Sequence, residues 1–189
     1  MECLNRRAQV VCFLALTAAV TLFPLGAAAQ LNSVIANVAL SATKGESLTV
    51  TVTAGSTVSF DLSTTVANGS VPVTIQTTWV LSPARLSVSL YGYFDTATAA
   101  LTDGFGNNIP TANVKGRMTT GAPTTFTAIT QSPVLGTAGA TLTLFTEVIG
   151  GTNKNKTRSD NLDLQIDQTG LTLPAGTFTG TLRLQAQAL

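Results

Sequence analysis

Histidine is absent from this chain, and its two cysteines, Cys3 and Cys12, both lie in the first dozen residues. The lack of histidine removes the commonest general base, the usual activator of a serine nucleophile and the commonest metal ligand. With thiols confined to the extreme N-terminus, no disulfide framework or thiolate metal site is available to the rest of the chain. Charge is equally scarce, at 10% of residues. Once Glu2, Arg6 and Arg7 are set aside, eight basic and eight acidic side chains remain, so there is no basic stripe of the kind nucleic acid binding requires. No Ser-Lys pair, G-x-S-x-G or phosphate-binding glycine loop occurs, and no carboxylate pair can be assigned to a cleft. The expectation is a non-enzymatic protein with no cofactor and no metal.

The first 29 residues have the layout of an export signal. Arg6 and Arg7 give a basic start, "VVCFLALTAAVTLF" is a short apolar run, and Ala27 and Ala29 sit at the −3 and −1 positions before Gln30. The apolar run is shorter than the ~20 residues a spanning helix needs. The pattern therefore predicts a signal-peptide helix over 1–29, removed on secretion, with no membrane span afterwards. The destination it implies is the periplasm or outer surface of a bacterium. Residues 30–189 then read as a single domain, long enough to bury a core without staples.

What fills that domain is period-two alternation, rich in threonine, whose branched Cβ suits a pleated surface while its hydroxyl stays wet. Val34, Ala36, Val38 and Leu40 share one face of a first expected strand; Leu48, Val50 and Val52 mark a second, and Val58, Phe60 and Leu62 a third. Val73, Ile75, Thr77, Trp79 and Leu81 form one face of a long strand. After a turn at "SPAR", Leu86, Val88, Leu90, Gly92 and Phe94 form the return, so a central hairpin is expected over 71–95. Weaker strands are expected at 112–119 and 124–130, and at most a helical turn at 95–104. Further strands carry Leu142 to Val148 and, after a long polar tip at 150–161, Leu162 to Ile166. The last is read as one uninterrupted strand over 177–189, either closing its own sandwich or bordering a groove that another strand fills. Many short strands with regular turn signals predict an all-β, immunoglobulin-like Greek-key β-sandwich, with a closed β-barrel as the alternative.

Among side chains, Trp79 is expected in the core because it shares parity with Ile75 and Leu81. Tyr91 and Tyr93 point away from the Leu90 and Phe94 face and are the candidates for a ligand platform, which would make the protein a carbohydrate-binding module. Asp160, Asp163 and Asp167 offer oxygen ligands of the kind a hard cation takes, but Asp163 and Asp167, on one strand face, stand ~13 Å apart at ~3.3 Å per residue, too far to share an ion, and a solvated face is expected. "DGFGNN" at 103–108 lacks the alternating acids of a calcium loop. "NGS" at 68–70 and "NKT" at 155–157 fit the N-glycosylation pattern and are read as chance matches.

The closing "LPAGTFTGTLRLQAQAL" resembles the last strand of bacterial pilin-like families, namely spore coat protein U-like domains and chaperone–usher fimbrial subunits. The opening "SVIANVALSA" is similar to the alternating extension such subunits carry. The chain departs from them in lacking their cysteine pair and in carrying Ala188 at the penultimate position. The stretch "TTWVLSPARLSVSLYGYFDTATAALTDGFGNNIP" is similar to a segment of uncharacterised secreted proteins of environmental bacteria. The resemblance implies an incomplete sandwich completed by a neighbour, with Val34, Ala36, Val38 and Leu40 as the donated set. The partners it implies are further copies of the chain or other envelope proteins; the tyrosine platform would instead imply glycans. A self-sufficient monomer, with the N-terminal strand paired inside its own domain, is the competing expectation.

Overall fold

The computed structural model describes residues 33–134 and 139–189, and the chain divides after Ala42. The leader at 1–29 lies outside the described residues. Residues 33–42 belong to no strand and every one of them is exposed, so the first expected strand is not formed there. Thr43–Leu189 is all-β. Its strands in chain order are β1 (Ser47–Ala54), β2 (Val66–Asn68), β3 (Val73–Val80), β4 (Ser87–Tyr93), β5 (Leu101–Thr102), β6 (Asn108–Ile109), β7 (Val114–Met118), β8 (Thr127–Ala128), β9 (Thr141–Val148), β10 (Asn155–Asp167) and β11 (Arg183–Ala188). The one helical element among the described residues is a single 3-10 turn, Thr111–Asn113.

Every strand pairing is antiparallel. One sheet runs β1-β3-β10-β7-β8, with β2 extending the line of β3 along β10. A second runs β11-β4-β9, and β5 and β6 form a small hairpin of their own. Neither large sheet closes on itself, so the barrel alternative does not describe the fold. The alternation explains the packing. Val73, Ile75, Thr77 and Trp79 are buried while Thr74, Gln76 and Thr78 are not, and Val88, Leu90, Leu142 and Leu144 present the facing surface from the second sheet. Trp79 is fully buried, and its indole N–H donates to the Asn153 carbonyl at 2.8 Å, so the polar edge of the ring is satisfied. A Cβ on Gly116 of β7 would meet Leu142 Cδ2 at 2.9 Å, which shows how closely the two inner faces approach.

Several sequence expectations are corrected. β3 and β4 are not a hairpin: β3 pairs with β1 and β10, whereas β4 pairs with β9 and β11. Both strands carry a continuous apolar face, and placing them in opposite sheets lets the two faces meet across one core. The tip expected at 150–161 is strand from Asn155 onward, because β10 follows β3 from Asn155 opposite Val80 to Leu162 opposite Val73. Its polar residues are tolerated there by pairing, as in the 3.0 Å hydrogen bond between the hydroxyls of Thr78 and Thr157. The segment 95–104 forms bends and then β5 rather than a helical turn. Val58, Phe60 and Leu62 make only an isolated bridge, Phe60 to Gly69. The closing strand starts at Arg183 and not at Thr177, for a reason that defines the site below.

Candidate functional site

The two sheets share a long edge formed by β1 on one side and β11 on the other. Where β1 and β11 approach, their Cα atoms come within 8 Å, closer than the roughly 9.5 Å that two strands flanking a third require. Beyond Ala54 and before Arg183 the edges part. On one side Gly55, with φ of +69°, turns the chain against the Pro72 carbonyl, where a Cβ would collide. Residues 57–62 then continue alongside 66–70, with Ser70 N–H donating to the Ser59 carbonyl at 2.9 Å. On the other side residues 176–182 leave the second sheet and pair with the β5–β6 hairpin instead. Thr102 and Thr179 exchange two N–H to C=O bonds of 2.9 Å, and Gly180 packs directly on the Ala100 carbonyl. That pairing draws the wall away from 57–62 and shortens the last strand.

The result is a groove of about 680 Å³. Its floor is core: Val73, Phe94, Val114, Leu164 and Ile166 are all buried residues of the main cluster that also line the opening. Val58 and Phe60 face Phe178 and Leu182 from the two walls, and Asp61 is the one charged residue of the lining. Each wall is about six residues long, hence some 17–20 Å of extended chain. A groove of this shape, apolar within and flanked by backbone that is only partly paired, can hold an extended strand with alternating side chains.

The closed part of the edge is locked by a charged clasp. The Glu46 carboxylate accepts from the Ser82 N–H at 2.7 Å and from the Arg85 guanidinium at 3.1 and 3.3 Å, while Arg85 also reaches the Ala188 carbonyl at 3.4 Å. The Arg85 hydrogen bond, followed by that from Ser82, holds the Glu46 carboxyl at about 2, well below its ordinary value of 4.5.

Of the residues singled out in the sequence, Val34, Ala36, Val38 and Leu40 all lie exposed, Val34 at 94% and Leu40 at 91%. Tyr91 and Tyr93 do not form an open platform. They retain 6% and 9% exposure in the middle strand of the second sheet, with the Tyr93 hydroxyl donating to Gln185 Oε1 at 3.2 Å. Asp163 and Asp167 are each occupied by a cross-strand cation, Arg117 Nη2 at 2.7 Å and Lys115 Nζ at 2.7 Å. Among the described residues no group of three or more Asp, Glu, His or Cys side chains is placed to hold a metal ion. The groove walls escaped sequence reading because their alternation, in Val58-Phe60-Leu62 and Phe178-Leu182, is the same signal that a fully paired strand gives.

Comparison with protein-family models, characterised proteins and solved structures returns no match for this chain.

Proposed function

We propose that the protein is a secreted, non-enzymatic structural or adhesive subunit of a bacterial cell envelope, with a signal peptide over 1–29 and an immunoglobulin-like Greek-key body. In this reading the subunits associate by strand donation: residues 33–42 of one copy fill the groove of another. One observation carries it. An uncharged, alternating segment that forms no strand occurs in the same chain as an open, apolar-floored groove of matching length. From Val34 to Leu40 the segment spans ~20 Å when extended, against walls of some 17–20 Å. Burying Val34, Val38 and Leu40 contributes roughly 5–9 kcal/mol before the costs of association, and main-chain bonds to the groove walls add to it. The acceptor in this reading is a second copy.

The test is assembly of the exported chain compared with Val38→Asp and Leu40→Asp variants. Donation predicts that each charge placed on the buried face abolishes oligomers stable to mild detergent, and that a peptide of residues 30–43 competes with assembly of the parent. Wild-type protein that sediments as a monomer at every concentration would refute the reading.

A further inference from the structure

The β body has two ends of different character. At one end lie Leu86, Val148 and Leu189, exposed to 72, 77 and 59%. Val148 and Leu189 are neighbours on one face, flanking Ser87 from either side: Ser87 pairs with Val148, and the Leu189 N–H donates to the Ser87 carbonyl at 3.0 Å, while Leu86, one residue earlier, turns to the opposite face. The Glu46–Arg85–Ala188 clasp is at this end, so this is also where residues 43–46 lead into β1. At the other end, where the groove opens, stands Phe105 at 92% exposure.

Phe105 is held there by a rigid loop. The Asp103 carboxylate accepts from the Phe105 N–H at 2.8 Å, the Asn107 N–H at 3.0 Å and Asn107 Nδ2 at 2.6 Å. Gly104 and Gly106 supply the positive φ, 79° and 102°, that the tight turn requires. The antiparallel pairing of Thr102 with Thr179 sends the tip of the β5–β6 hairpin away from β11, past the outer end of the groove. A loop whose backbone is held by its own hydrogen bonds presents this ring to water, so little backbone freedom is left to lose on binding.

We infer that Phe105 of one copy seats on the Val148 and Leu189 surface of the copy whose strand it receives. This rests on the strand-donation reading, and geometry then supplies the rest. The donated segment leaves its own body at the Leu86–Val148 end. It can enter the acceptor only through the open end of the groove, beside which Phe105 projects. The two apolar surfaces are thereby brought face to face. A second copy fits this surface better than an anionic membrane, because the 101–109 hairpin carries no cation, only Asp103. Ring and seat are different surfaces, so the contact is head-to-tail and propagates into a fibre instead of closing a dimer.

The experiment is sedimentation velocity across concentration on the exported full chain, its Phe105→Ser, Val148→Ser and doubly substituted variants, and Leu40→Asp. Each serine variant is expected to raise the concentration for half-assembly about 10- to 100-fold, the loss of one buried large side chain. The double variant should be little worse than the weaker single one, because both remove the same contact. The melting temperature of the isolated subunit should not move, since both side chains are exposed. In support, Phe105→Cys combined with Val148→Cys should give a ladder of intermolecular disulfides, where either alone stops at dimers. If Phe105→Ser assembles like the parent while Leu40→Asp does not, donation stands and the docking contact is refuted. If the parent is monomeric, or Leu40→Asp assembles normally, the donation reading fails and this inference fails with it.

Discussion

Asp160 is almost sealed from water, with 1% of its side chain exposed, and its charge is answered on both oxygens. Arg158 Nε lies 2.7 Å from Oδ2, while Arg158 Nη2 and the Thr120 hydroxyl each lie 2.8 Å from Oδ1. The guanidinium also stacks on Phe145, 4.3 Å from the ring centroid, and reaches Glu147 at 3.4 Å. At Glu147 burial pushes the carboxyl up, but hydrogen bonds from Lys156 and Asn153 outweigh it and the net shift is downward. The two halves of the Arg158–Asp160 pair should therefore respond unequally. Arg158→Ala strands a buried carboxylate and is expected to cost about 3–5 kcal/mol. Asp160→Asn removes the buried charge, keeps one of the two acceptor oxygens and leaves Arg158 its Glu147 partner, so a smaller loss of about 1–2 kcal/mol is expected. Urea denaturation of the two variants measures the difference; equal losses would mean that burial of Asp160 is not what the pair is organised around. Gly180 gives a second residue-scale prediction. Any Cβ there would collide with the Ala100 carbonyl, so Gly180→Ala should destabilise the fold by about 1–3 kcal/mol and loosen the groove wall, read by chemical denaturation.

At the scale of elements, the clasp that joins the start of β1 to the turn after β3 and to the end of β11 carries a pH signature. Glu46 is held at about 2 in the folded protein against an ordinary 4.5. A depressed carboxyl contributes stability that is complete above about 4.5 and is lost as the pH falls towards 2. Glu46→Gln should flatten the pH dependence of the melting temperature within that window and leave it unchanged near neutrality. Because the pair is partly exposed, added salt should shrink the effect. The elements also show what was legible in the sequence. The inward parity of Ile75 and Trp79 in β3, of Leu142 and Leu144 in β9 and of Leu48 and Val50 in β1 is set by local alternation, and the structure keeps it. Partner choice is not local. Nothing in residues 71–95 distinguishes a hairpin from two strands in opposite sheets, because both arrangements bury the same faces. The polar first half of β10 was illegible because its place in the sheet comes from β3 beside it and from pairs such as Thr78–Thr157, not from its own apolar content. Phe60 and Phe178 alternate as the residues of paired strands do, yet they stand on opposite walls of an open groove, a distinction that depends on the distant pairing of Thr102 with Thr179.

For the whole molecule, the central claim is that the groove between 55–62 and 176–182 is an acceptor for residues 33–42 of another copy. An unfilled groove leaves Val58, Phe60, Phe178 and Leu182 on its walls only partly buried, so filling it should stabilise the body as well as link the subunits. The most direct measurement is amide hydrogen exchange, read by mass spectrometry on the exported chain across a concentration series that spans monomer and assembly. The account predicts that three segments, 33–42, 55–62 and 176–182, gain protection together and only in the assembled fractions, while β3 and β9 are protected throughout. If 33–42 exchanges at the unprotected rate in every fraction, or is already protected in the monomer, the strand-donation account is contradicted.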